Sequence, residues 1–121
     1  MIMMSSAKYA LLLGTLLLAA SGCGKAKYIC QSKQAEAKAT LKTVRSSEAS
    51  YLDANKKYSG SLTELAIPTD MARSYTVTVD SATATGYSAT ATGKDDMAGD
   101  VWKIDETATE AKAVTDKCSS M

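Results

Sequence analysis

The side chains best suited to chemistry are three cysteines, Cys23, Cys30 and Cys118, and three aspartates crowded into one loop, Asp95, Asp96 and Asp100. A thiol can carry lipid, form a disulfide or act as a nucleophile, and the last role needs an activating base. The 121 residues contain no histidine, the commonest general base and a frequent zinc ligand, so most hydrolytic triads and zinc sites are excluded. A catalytic cysteine has no activator here, and the composition argues against an enzyme. The loop Lys94-Asp95-Asp96-Met97-Ala98-Gly99-Asp100 offers the hard oxygens that calcium takes. Its spacing is a degraded form of D-x-D-x-D-G, so Asp95, Asp96 and Asp100 are at most a weak calcium site, the alternative being a solvated turn. Trp102, beside that loop, reads as a core or half-buried plug rather than a ligand platform.

The first thiol belongs to the front of the chain. One positive charge, Lys8, precedes the apolar run Tyr9 to Ala20, which is short of the roughly 20 residues that span a bilayer but suits the core of a secretory signal. Ala20-Ser21-Gly22-Cys23 resembles a bacterial lipobox, in which the cysteine receives lipid and becomes the first mature residue. The expected division is a lipoprotein-like signal over residues 1–22, a tether over 23–29 and one head domain over 30–121. Cleavage by an ordinary signal peptidase and an uncleaved anchor remain alternatives. Gly24 after the cysteine resembles outer-membrane sorting. The protein is thus expected to be exported and lipid-anchored, at the outer membrane or on a periplasmic face.

In an exported protein with a small core the other two thiols are candidates for a bridge. Cys30 with Cys118 would close a loop of nearly ninety residues, worth roughly 3 to 5 kcal/mol in the chain-entropy model; the alternative is two unpaired thiols. Such a bridge would tie the tail to the start of a long helix. Between Cys30 and Tyr58, Ala37, Leu41, Val44, Tyr51 and Tyr58 recur at steps of three and four, interrupted by Glu48 and Asn55. Neither proline nor glycine breaks Lys25 to Lys57, and Gly60 fits a helix stop. Ser61 with Glu64 has the capping-box spacing for one further turn carrying Leu62 and Leu65.

The period changes after Pro68. Tyr75, Val77 and Val79, then Tyr87, Ala89 and Ala91, alternate with polar residues and read as two half-buried strands. The link Ser81 to Thr85 is short enough for an antiparallel hairpin. Val101 to Ile104 is a third strand, and Thr107 to Met121 is an edge strand or irregular. One helix with a thin, alanine-rich stripe cannot fold alone, so the expected fold class is α+β, a long N-terminal helix packed on a three- or four-stranded antiparallel sheet.

Those residues resemble a known family. Ser32-Lys33-Gln34-Ala35-Glu36-Ala37-Lys38, then Leu41-Lys42, Tyr51, Tyr58 and Ser61-Leu62-x-Glu64-Leu65 are similar to type IV pilins and type II secretion pseudopilins, most of all to small pilins of delta-proteobacterial type. Gly86-Tyr87-Ser88-Ala89-Thr90-Ala91, Gly99-Asp100-Val101-Trp102-x-Ile104-Asp105-Glu106 and a late cysteine resemble the second half of the same proteins. The likeness runs from about Ile29 to Cys118. It implies a non-enzymatic pilin-like head whose partners are other pilin-like subunits, and calcium near the acidic loop, as in the major pseudopilins. The front departs from the pattern, because a lipobox-like signal stands where pilins carry G-F-T-x-x-E and a long apolar helix half. The expected function is therefore a structural or interaction protein whose membrane contact is a lipid anchor. The alternatives are a minor pilin or pseudopilin subunit and a calcium- or ligand-binding surface module. Net charge is +1, from 14 basic and 13 acidic residues, so no nucleic-acid partner is expected.

Overall fold

The computed structural model describes the chain with its side chains over residues 24–121. The expected signal over 1–22 and the lipidation residue Cys23 lie outside the described residues. Helix α1 (Ile2–Asn55) is followed by strands β1 (Tyr75–Ala82), β2 (Tyr87–Gly93), β3 (Val101–Asp105) and β4 (Lys112–Thr115). The strands form one antiparallel meander in the order β1-β2-β3-β4. The α+β expectation holds, and the closing segment supplies the fourth strand at an edge, with all its residues exposed.

The described helix buries one narrow stripe: Cys30, Gln34, Ala37, Leu41, Val44 and Glu48 follow at strict steps of four and three. Opposite it, the inward residues of central strand β2 are Ala89 and Ala91, both fully buried, with Tyr87 at one end. Small residues there let the helix come close, so Leu41 and Val44 meet the sheet directly while larger groups fill the flanks. In the register, Ala91 lies beside Trp102 and Ala89 beside Ile104, which places both large β3 side chains in the same layer. Burying such Leu, Val and Trp side chains contributes on the order of 1.5–3 kcal/mol each, the main term holding helix to sheet.

Residues 24–29, the expected tether, lie within α1 and all six are exposed. Two expectations about the helix need correction. The helix stops at Asn55 rather than at Gly60, because Lys56 turns left-handed (φ 62°) and sends the chain away. Tyr58 is accordingly not on the helix stripe. It packs on the core from the following loop, 5.0 Å from the Tyr87 ring, with its N–H donating to the Thr83 carbonyl. The turn after it forms half of the expected capping box: Glu64 N–H donates to Ser61 Oγ at 3.3 Å, while the Glu64 carboxylate accepts from Tyr51 and Ser59 hydroxyls instead. Ala66 (φ 56°) closes that turn, with Ile67 N–H reaching back to Leu62 O as in a Schellman motif.

Two positions carry sharp local demands. At Gly93, the last residue of β2, a Cβ would stand 1.9 Å from the Met97 carbonyl oxygen, and that oxygen is backbone. Gly93→Ala is expected to cost about 1–3 kcal/mol, the range for forced overpacking, read as a lower denaturation midpoint with an unchanged slope.

The other position is Glu48, a fully buried carboxyl in the helix stripe. Its Oε1 accepts from Ser59 N–H at 2.7 Å, while its Oε2 has no partner among the described residues. Burial raises its pKa above the ordinary 4.5, and the Ser59 bond offsets this only in part. A raised folded pKa means that the stabilising, protonated form is fully present below about 4.5 and is lost as pH rises through the folded value. Glu48→Gln keeps an acceptor for Ser59 without the charge, so it should raise the melting temperature at pH 7 and leave it nearly unchanged at pH 4.

Candidate functional site

The acidic loop does not behave as one unit. Asp95 is exposed and holds a left-handed conformation (φ 54°) at the start of a short turn. Asp96 is exposed too and pairs with Lys33, whose hydrogen bond and charge hold its carboxyl below the usual range. Asp100 is fully buried. Its Oδ1 accepts from Gln34 Nε2 at 3.0 Å and Lys117 N–H at 2.9 Å, and its Oδ2 from Trp102 Nε1 at 2.8 Å and from the Tyr75 hydroxyl. Burial would push this carboxyl up, but four donors outweigh it and the net displacement is downward. The three carboxylates thus face different partners, and no group of three or more His, Cys, Asp or Glu residues among those described could hold a metal ion.

Asp100 is the residue whose role the sequence reading missed, and its signal was available. Asp100, Trp102 and Ile104 alternate, so the aspartate shares the inward face of β3 rather than the solvated side of a turn. Its neighbours extend the network: Gln34 Nε2 also donates to Asp116 Oδ1 at 2.7 Å, which in turn caps the C-terminal turn Lys117–Ser120 through Cys118 and Ser119 N–H groups. Cys118 closes the arrangement by bonding Cys30 with a Cα–Cα separation of 5.8 Å, the bridge expected from the sequence. Trp102 is buried as expected, yet it also forms the floor of a surface cleft.

That cleft, about 220 Å³, lies between α1 and the β3–β4 loop and is lined by Lys38, Ala39, Lys42, Trp102, Glu110 and Ala111. The Lys38 ammonium stands 4.4 Å from the Trp102 ring centroid, a cation–π contact. Two turns on, Arg45 Nε donates to the Ala108 carbonyl at 2.8 Å and fastens the loop to the helix. Across the loop, Lys103 and Lys112 sit directly opposite each other in the β3–β4 register and line a second cleft with Asp105 and Thr107. Like charges in that position are unfavourable without a counter-charge. Asp105 supplies part of one, its carboxyl held low first by its bonds from Thr107 and also by Lys112. Cations around an aromatic floor suit binding of a polar or anionic partner, and sequence and geometry together offer no nucleophile with a histidine base.

Residues 26–121 match the model of a family described as "Type IV minor pilin ComP, DNA uptake sequence receptor". The chain belongs to this family of type IV minor pilins. No curated protein matches it. The matched stretch takes in the described helix almost whole, the four strands, both bridged cysteines and Asp100. Membership in a minor pilin family points to a structural or interaction role and implies export to the cell surface or periplasm. Among the described residues no helix is long and apolar enough to cross a membrane.

Proposed function

We propose that this minor pilin is a non-enzymatic interaction head displayed from a membrane by lipid on Cys23. Residues 1–22 serve as the signal, 23–29 as the link and 30–121 as the head, of which the head alone resembles small pilins of delta-proteobacterial type. The match over residues 26–121 supports the head, and the lipobox-like Ala20-Ser21-Gly22-Cys23 that precedes it is what motivates the anchor. The head then meets its partners, other pilin-like subunits first among them, through surface rather than chemistry. Mass spectrometry of the mature N-terminus should find a lipid-modified Cys23; an unmodified Ser21, Gly22 or Cys23 at that end would overturn the anchor.

A second reading takes the β3–β4 face as a contact for DNA, since the family's description names a DNA uptake sequence receptor. What favours it is the gathering of Lys38, Lys42, Arg45, Lys103 and Lys112 around one loop, a local concentration that the whole-chain charge of +1 averages away. Asp105, Glu106 and Glu110 lie in or beside the same loop, so the field is mixed. If the reading is right, DNA affinity falls steeply with salt and Lys38→Ala with Lys42→Ala lowers both the affinity and the salt slope. Affinity that is absent at 50 mM salt, or indifferent to both substitutions, removes it.

A further inference from the structure

We infer that the end of the head where α1 emerges seats on an anionic phospholipid surface, a non-covalent contact additional to the lipid on Cys23. The inference rests on the anchored reading above. Five large hydrophobic side chains are exposed among the described residues, and three of them gather here: Tyr28 (71 %), Ile29 (44 %) and Met121 (55 %). Ile29 and Met121, 92 positions apart in sequence, line one groove of about 280 Å³ with Met97, Lys33, Lys117 and one acid, Asp96. The groove wall is mostly apolar carbon, and its rim is cationic.

Lys25 and Lys27 are exposed on the same helix turns; Lys33 pairs with the Asp96 carboxylate while Lys117 donates to the Asp96 backbone carbonyl, so these three side chains together carry one net positive charge. Apolar and aromatic groups ringed by lysines match the boundary between acyl chains and phosphates, where tyrosine and lysine both settle with one end dry and one end wet. Position in the chain selects a membrane over a protein partner. In the anchored reading the lipid on Cys23 stands two residues before Lys25, so this end of α1 is the part of the head held at the bilayer. The phosphates of phosphatidylglycerol supply the opposite charge.

The test uses the processed protein as purified from the membranes of the expressing cell, mixed with vesicles of phosphatidylglycerol and phosphatidylcholine. Met121→Trp reports on the groove, and Ala54→Trp reports on the other end of α1; both sites are exposed, and native Trp102 contributes the same buried background to each. Brominated acyl chains should quench the Met121→Trp emission about twofold and leave Ala54→Trp unchanged. Lys25→Gln with Lys27→Gln should weaken that quenching in phosphatidylglycerol vesicles. Protein that sediments with vesicles while Met121→Trp stays unquenched overturns the seat and leaves the anchor standing. A blue-shifted but unquenched Met121→Trp, meaning that a second copy or another protein covers the groove, overturns it as well. Protein that fails to sediment overturns the anchor, and the seat with it.

Discussion

Asp100→Ala is expected to be the most damaging single substitution in the head, costing at least about 4 kcal/mol. Four donors lose their acceptor at once, and a buried donor left without a partner costs about 1–3 kcal/mol. Some of that is recovered where water enters the space of the lost carboxylate, which is why the expected cost sits toward the low end of the simple sum of about 4–12 kcal/mol. A domain of this size has only about 5–15 kcal/mol in total, so the variant should be largely unfolded at a temperature where the parent is folded. Asp100→Asn keeps the shape but turns an amide N–H₂ toward donors, and it should fall between the two. Chemical denaturation monitored by Trp102 emission is the measurement, because the indole itself donates to Asp100. An alanine variant within 1 kcal/mol of the parent would remove this carboxylate from its central place.

The pH dependence gives a second, independent check. The folded pKa of Asp100 is depressed below the ordinary 3.8, so its contribution is fully present above that value and is lost as pH falls through the lower, folded one. Glu48, with its raised pKa, works in the opposite direction over the range above 4.5. Acid unfolding below pH 4 should therefore be blunted in Asp100→Asn, whereas the gain at neutral pH belongs to Glu48→Gln. Each carboxyl is buried in the same core. The sign differs because four donors meet one of them and a single backbone N–H meets the other.

Removing the bridge by Cys30→Ser with Cys118→Ser, or by reduction, should cost roughly 3 to 5 kcal/mol, as expected for a closed loop of 88 residues. Much of the loss comes from the greater freedom of the unfolded chain, so the denaturation slope should change along with the midpoint. The bridged form should resist unfolding in the oxidising compartment where an exported protein works, and reduced protein should lose the C-terminal turn first. Cys118 follows Lys117, whose N–H binds Asp100, and the two perturbations share that turn. Their combined cost in a double-mutant cycle should be less than the sum, since either one already frees the tail. Strict additivity would mean that bridge and carboxylate hold separate parts of the head.

The amino-acid sequence by itself determined what depends on neighbours within a few residues. Steps of three and four from Ala37 to Val44 required a helix with one sparse stripe, and alternation through Tyr75–Val79 and Tyr87–Ala91 required half-buried strands. Their order then made the helix-on-meander arrangement and the pilin kinship readable. Where the helix stopped was not readable in this way, because Lys56 adopts a left-handed conformation that its side chain does not advertise. Partners that come from distant parts of the chain were decided only by the tertiary structure. Alternation with its neighbour Trp102 turned Asp100 inward, but that Gln34, Tyr75 and Lys117, drawn from three other segments, would close around it was set only by folding. The gathering of Tyr28, Ile29 and Met121 at one end, and of Lys38 and Lys42 with Trp102 at a cleft, has the same cause. Periodicity reports which way a side chain faces along its own element, but only folding decides what it faces.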